Sequence, residues 1–267
     1  MTHQEQQGLP AARQLVRECR KLGAVQAPAT VLPTVMGRLG LVDTYFQVNT
    51  PLGTVFVAYN RSGVCAVRPA TSALQFEAAF HAAFGRQIHA ASEPPAQLVR
   101  AITHQLAGTT SPDLRFDLRQ LSEFERAVLR KALEIPRGEV RPYAWIAREI
   151  GHPGAMRAVG TALARNPVPL LIPCHRVVKS DGHLGRYSMG GADAKRTILQ
   201  AEGVDPDALE ELARAGVRYY GCTSTHVYCF PTCRHAPNTH RIHFASAEEA
   251  FRAGYRACRA CRPAQAS

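Results

Sequence analysis

Apolar and polar positions alternate along residues 45–48, 54–59 and 64–68, the period of half-buried strands, and Asn60-Arg61-Ser62-Gly63 punctuates the last two as a hairpin turn. Helical spacing takes over at about 72–84 and 95–107, and a short strand is expected near 114–118. Ser122-Glu123-Phe124-Glu125 is a capping box that opens a helix running to Glu134. Apolar residues then recur at helical spacing from Tyr143 to Ile150, with Pro142 suited to the first helical position and Gly151-His152-Pro153-Gly154 as the stop. A second helix over 155–164 follows that four-residue turn, so the pair reads as a helix-turn-helix. Its small residues Ala155, Ala158, Gly160 and Thr161 surround Arg157, which fits either an inward-packed hairpin or a helix lying deep in a nucleic-acid groove.

The ends of the chain carry different patterns. Residues 1–42 hold one helix over 10–22 and a shorter one over 31–39, read as a packing extension because no motif gives them work. Residues 205–216 are acidic, helix-like and closed by Gly216, and are read as a linker. Composition then shifts to His, Cys and Arg, with a strand over 241–244 and a second capping box at Ser246-Ala247-Glu248-Glu249.

The chemistry concentrates in two places. In Leu170-Leu171-Ile172-Pro173-Cys174-His175-Arg176-Val177-Val178 a thiol sits in an apolar run, the ordinary setting of an inert core cysteine. Here an imidazole and a guanidinium follow at once, the groups that lower a thiol pKa. Pro173 breaks the strand at the thiol, and a glycine-punctuated stretch over 181–191 supplies a wall able to approach a ligand closely. The second place is the pair Cys229/Cys233 and the pair Cys258/Cys261, separated by 24 residues. Two close thiol pairs in a small basic segment with little apolar surface read as a tetrahedral zinc site that staples it. Cys65 reads as core, and Cys19 and Cys222 belong to no motif.

Charge points the same way. The chain of 267 residues has 32 basic and 21 acidic side chains, a net of +11. Residues 136–200 hold ten basic against four acidic and residues 216–267 seven against two, while the remainder balances. Excess confined to the two segments with chemical motifs favours phosphate contact over a merely solvated face. The polar start and the lack of any apolar run near ~18 residues give the expectation of a cytoplasmic protein.

At this point a family resemblance is specific. Pro173-Cys174-His175-Arg176-Val177, Arg157-Ala158-Val159-Gly160, Asn166-Pro167 and Tyr143 resemble the O6-alkylguanine-DNA alkyltransferases (methylated-DNA-protein-cysteine methyltransferases), weakly back to about Asp43. Met189 is one residue more than some members carry in the wall, and Met156 stands where a smaller residue is the pattern. The segment from Thr225-His226-Val227-Tyr228-Cys229-Phe230-Pro231-Thr232-Cys233-Arg234 to Cys261-Arg262-Pro263 is similar to the zinc-binding domain of the Ada adaptive-response protein, with the order of modules reversed.

The resemblance implies a fold and a division of labour. The fold class is α/β: a small α/β, ribonuclease H-like lobe over 43–120, a helical, winged helix-turn-helix-like active-site domain over 121–204, the linker, and a zinc-stapled α+β module over 217–267. Cys174 is the implied alkyl acceptor, His175 the base, Glu202 its orienter, Tyr143 the proton donor to the leaving guanine and Asn166 the residue that positions the thiol region. Arg157 is the implied finger that fills the vacated stack, with Ala158 and Gly160 on the DNA face and Tyr187 and Ser188 in the pocket wall. Cys229, Cys233, Cys258 and Cys261 hold zinc, and Cys229 is the implied second methyl acceptor, from phosphotriesters, with Arg234, Arg256, Arg259 and Arg262 near the phosphate. The expected activity is a single-turnover DNA repair transfer by a monomer on duplex DNA. The alternatives are an alkylation-sensing DNA-binding regulator and, more weakly, a cysteine hydrolase.

Overall fold

The computed structural model describes residues 35–36, 42–109 and 111–264; the helices expected over 10–22 and 31–39 lie outside these, apart from residues 35–36. Strands β1 (Asp43–Thr50), β2 (Gly53–Asn60) and β3 (Gly63–Pro69) form an antiparallel meander, and β4 (Ile88–Ala90) joins parallel to β1, giving the order β3-β2-β1-β4. Both faces of this sheet are covered, as successive side chains point opposite ways. Phe56 and Ala58 pack with Phe76 and Phe80 of α1 (Ala73–Phe84), whereas Val55 and Val57 enter a second cluster with Ala101 and Ile102 of α2 (Ala96–Leu106).

The strand expected over 114–118 does not form. Phe116 makes a single bridge to Val64, and a turn from Leu118 to Leu121 carries the chain away. That bridge brings the backbone of Arg115 against Gly63, where an added Cβ would lie 2.3 Å from the Arg115 carbonyl oxygen.

Three helices then build the frame of the site. The Ser122 capping box is present with both of its bonds and opens α3 (Glu123–Leu133). Pro142 is not the first helical residue: it stays extended as the N-cap of α4 (Tyr143–Glu149), because it also belongs to β5 (Arg141–Pro142), which pairs parallel with β6 (Val177–Val178). Helix α5 (Met156–Ala164) buries Val159, Ala162 and Leu163. Helix α6 (Gly191–Ala201) follows β6 and the wall.

The expected linker is a packed helix, α7 (Pro206–Arg214). Asp205 caps it through the amides of Asp207 and Ala208, and Leu209 and Ala213 are buried. Its acidic character, which suggested a linker, lies on the remaining faces. The last module is a sheet of β7 (Tyr219–Cys222), β8 (Val227–Cys229), β9 (Arg241–Phe244) and β10 (Arg256–Ala257) in the order β10-β8-β7-β9, with α8 (Ala247–Arg252) capped by Ser246. One apolar cluster runs from β2 and β3 through α3, α4 and α5 to Cys174 and on to the four paired cysteines. Among the described residues no helix is long and apolar enough to cross a membrane.

Two glycines separate backbone strain from collision. Gly63 and Gly53 both have positive φ, but only at Gly63 would a Cβ meet backbone. Gly53→Ala is expected to cost about 1 kcal/mol and Gly63→Ala at least about 3 kcal/mol, since the second adds a clash that no rotamer relieves. Urea unfolding midpoints of the two variants check this; equal losses would show that strand β3 shifts freely.

Candidate active site and metal centre

The chain between α5 and β6 is shaped around one amide. Asn166 Oδ1 accepts from the Val168 amide at 3.0 Å, while Nδ2 donates to the Ile172 carbonyl at 3.0 Å and lies 3.2 Å from Cys174 Sγ. Leu170, at φ +72°, holds the bend between them in the left-handed region that few non-glycine residues adopt. Cys174 then starts a single 3-10 turn ending at Arg176, and β6 follows directly. The thiol is buried at 6 % exposure, with its sulfur held by a donor.

The groups beside the thiol divide differently from the sequence expectation that imidazole and guanidinium lower its pKa. Burial pushes the Cys174 pKa up, against the hydrogen bond from Asn166 and the positive charge of Lys195. Arg176 turns away: its Nε and Nη2 donate to Glu202 at 2.9 and 2.7 Å, and Nη1 donates to the Ile135 carbonyl at 2.7 Å. His175 Nε2 lies 3.1 Å from Glu202 Oε1, which fixes the proton on Nε2 and leaves Nδ1 as the free base. Nδ1 is a buried nitrogen with no partner among the described residues. Burial lowers the His175 pKa, so the imidazole is neutral at pH 7. Burial would raise Glu202, but the hydrogen bonds from His175 and Arg176 outweigh it and hold the carboxyl down at about 2.

Lys195 is a buried charge beside the thiol region that no motif in the sequence points to. It is fully buried, and its Nζ donates at 2.5 Å both to the Val177 carbonyl in β6 and to the Leu184 carbonyl in the wall. Burial brings its pKa down to about 8, against the pull of Cys174. The signal was present in the pattern: Lys195, Ile198 and Leu199 share one helical face, so a cation occupied a core-facing position of α6.

Around this centre the other expected residues take up distinct places. Tyr187 is buried with its ring edge-on to His175 at 6.0 Å, and its hydroxyl lies 3.9 Å from Met189 Sδ. Met189, the additional wall residue, is therefore packed inward. Ser188 is exposed on a groove of about 420 Å³ shared with Asn166, Pro169 and Arg68. Tyr143 is half-buried at the start of α4, and burial together with Cys174 raises its pKa. Arg157, Ala158 and Thr161 stand on the exposed face of α5 with Met156, while Ala155 and Gly160 are half-buried, Gly160 beside the Tyr143 ring. Arg157 makes no ion pair among the described residues.

The four paired cysteines converge from β8, the loop after it, and the segment after β10. The sulfurs of Cys229, Cys233, Cys258 and Cys261 all lie within 4.8 Å of one another and are buried. A zinc tetrahedron has sulfur–sulfur edges of about 3.8 Å, so this all-thiol donor set fits zinc. Of the four arginines expected near a phosphate, Arg256 and Arg259 are exposed, whereas Arg234 pairs with Glu139 and Arg262 with Glu134 and Glu149.

Two known families match the segments that hold the two centres. Residues 123–204 match the family described as 6-O-methylguanine DNA methyltransferase, DNA binding domain, and residues 211–264 the family described as metal binding domain of Ada. A methylated-DNA–protein-cysteine methyltransferase of Mycolicibacterium paratuberculosis is 50 % identical over 93 residues, 35 % of this chain and 55 % of that protein. Its counterpart in Rattus norvegicus is 44 % identical over 110 residues, 40 % of this chain and 53 % of that protein. The chain thus spans about half the length of these relatives. The crystal structure of Mycobacterium tuberculosis OGT in complex with DNA is 31 % identical and covers 62 % of this chain and 98 % of that one, at a TM-score of 0.48. The chain carries, in this order, a DNA-binding domain of the 6-O-methylguanine DNA methyltransferase family and a metal-binding domain of the Ada family.

Proposed function

We propose that this chain repairs duplex DNA by moving the alkyl group of an O6-alkylguanine, once, onto Cys174. The observation that carries the reading is the buried line Glu202–His175 beside Cys174, with His175 Nδ1 unpartnered and a sulfur held by Asn166. His175 Nδ1 takes the thiol proton through one water, because a neutral imidazole with its other nitrogen pinned is a base of fixed direction. Cys174 Sγ attacks the alkyl carbon. The S–C bond forms as the C–O6 bond breaks, and the guanine leaves with the electron pair and takes a proton from the Tyr143 hydroxyl. A thioether has no leaving group that water displaces at neutral pH, so the chain is spent after one transfer.

The substrate base must leave the stack to reach a buried thiol, at a cost of a few kcal/mol. The exposed small-residue face of α5 supports seating in the minor groove, with Arg157 filling the vacated position and Ala158 and Gly160 allowing close approach. Tyr187 and Ser188 then bound the alkyl-bearing oxygen. On this reading the first lobe is ribonuclease H-like, α4 and α5 belong to a winged helix-turn-helix, and the protein acts as a cytoplasmic monomer. Cys229, Cys233, Cys258 and Cys261 would hold zinc, which on binding keeps a coordinated thiolate nucleophilic and folds the module. For Cys229 to accept a phosphotriester methyl, its sulfur must reach the methyl carbon, and at 1 % exposure it does so only when the module moves.

Cys174→Ala is expected to abolish methyl transfer while leaving affinity for DNA intact, because the thiol does chemistry and the basic surface supplies binding. Mass mapping of the wild type after duplex whose only lesion is O6-methylguanine should place one methyl group on Cys174; repeated turnover would overturn the reading.

Arg157→Ala is expected to slow repair of duplex at least tenfold while changing the reaction with free O6-benzylguanine less than twofold, since only the duplex needs a base held out. Single-turnover rates on the two substrates decide it, and equal losses would move Arg157 into the pocket.

The pH dependence follows from Glu202. Its folded pKa of about 2 lies below the ordinary 4.5, so its contribution is complete above pH 4.5 and disappears as pH falls through 2. That contribution is on the order of 3 kcal/mol. Glu202→Gln should therefore lower stability at pH 7 yet flatten the acid limb between pH 4.5 and 2, measured by urea unfolding across that range.

A further inference from the structure

The metal-binding module lies against the edge of the DNA-binding domain from which the active site is built. Trp145 of α4, 2 % exposed, donates its indole N–H to the Cys261 carbonyl at 3.0 Å, and Cys261 is one of the four metal-site cysteines. The Val140 amide donates to Thr232 Oγ1 at 2.9 Å. Glu139, 4 % exposed, is shared between two arginines, Arg141 of β5 two residues on and Arg234 of the module, the second at 2.9 Å. Arg262, at φ +47° and so in strained backbone, reaches Glu134 and Glu149 at 3.0 and 3.1 Å and lies over the Trp145 ring at 5.4 Å.

Charge explains why such a contact is built. Four thiolates on one zinc carry a formal charge of about −2, and a buried charge needs a partner. Arg141 is 3 % exposed and its guanidinium lies over Phe230, inside the Cys229–Cys233 loop, at 5.2 Å. The same Arg141 pairs with Val177 across β5 and β6, three residues beyond Cys174, and Pro142 leads directly into Tyr143. The metal site and the reactive thiol thus hold opposite sides of one two-stranded ladder.

We propose that the zinc module is a fixed, charge-matched brace on β5 and α4, so that metal retention at the four cysteines and alkylation at Cys174 are coupled through the β5–β6 pair. Cys174 sits in packed core, where an added alkyl group overfills the site and displaces its neighbours. Displacement of β6 carries β5 and Arg141 with it, loosening the module. By linkage, loss of the metal loosens the thiol site in return. The alkylation half of this coupling rests on Cys174 being the alkyl acceptor; the brace itself does not.

The chain has a single tryptophan, Trp145, and it sits in the contact. The experiment uses full-length zinc-loaded protein. Removing zinc with 1,10-phenanthroline should shift Trp145 emission to the red, and the loaded chain should unfold in one thermal transition read identically by fluorescence and circular dichroism. Zinc release into a colorimetric chelator should be at least threefold faster after Cys174 has been benzylated by free O6-benzylguanine, with the site of modification verified by mass. The Arg234→Ala/Arg262→Ala variant, which removes two solvent-accessible links and keeps Arg141 and the β5–β6 pair, should release zinc faster than wild type before alkylation and still respond to benzylation of Cys174. Unchanged emission on chelation, or two separate transitions in the wild type, would overturn the brace. Equal zinc release before and after verified benzylation would overturn the coupling. Failure of benzyl to reach Cys174 would instead remove the acceptor reading, while the emission and unfolding arms still decide the brace.

Discussion

The geometry around Cys174 depends on one buried carboxylate. Glu202, at the end of α6, receives both donors of the Arg176 fork and stands against His175 Nε2. A bidentate guanidinium–carboxylate pair fixes planes as well as distances. Because Arg176 also reaches the Ile135 carbonyl, two residues past α3, the same pair fastens the short 3-10 turn between the ends of two helices. The imidazole inherits its direction from that frame. Without it, a three-residue turn followed by a two-residue strand would have little to keep it in one conformation.

Lys195 closes the frame from the other side. An ammonium buried without a carboxylate is costly, and two carbonyl acceptors satisfy two of its three protons. It joins β6 to the wall, and its positive charge favours the thiolate of Cys174. The wall is held a second time where Glu210 of α7 accepts from the Leu184 amide at 2.9 Å. This is the physical reason that residues 205–216 are not a free tether: their helix fastens the pocket wall.

Much of this was legible in the chain. Alternation located β1, β2 and β3, capping boxes located α3 and α8, and thiol spacing located the cysteine cluster, since each signal is local. What was not legible is what depends on distant partners. The stretch over 114–118 has strand-like residues but finds only Val64 to pair with. Arg176 follows Cys174 in sequence yet points to α6, because a 3-10 turn separates adjacent side chains. Arg234 and Arg262, placed near a phosphate by the resemblance, also pair with acidic residues more than 90 positions earlier, which no local pattern announces.

Asn166 has a consequence of a different kind, in chemical durability. Its amide nitrogen faces a carbonyl and a sulfur, so conversion to aspartate would place an acceptor against two acceptors. Asparagine usually ages by attack of the following backbone nitrogen on its own side-chain carbonyl, a ring closure that needs an N–H at the next residue. Pro167 has none. The residue whose deamidation would set an acceptor against the Cys174 sulfur is thus the one whose neighbour shuts that route, so the donor to the thiol is shielded from this form of ageing.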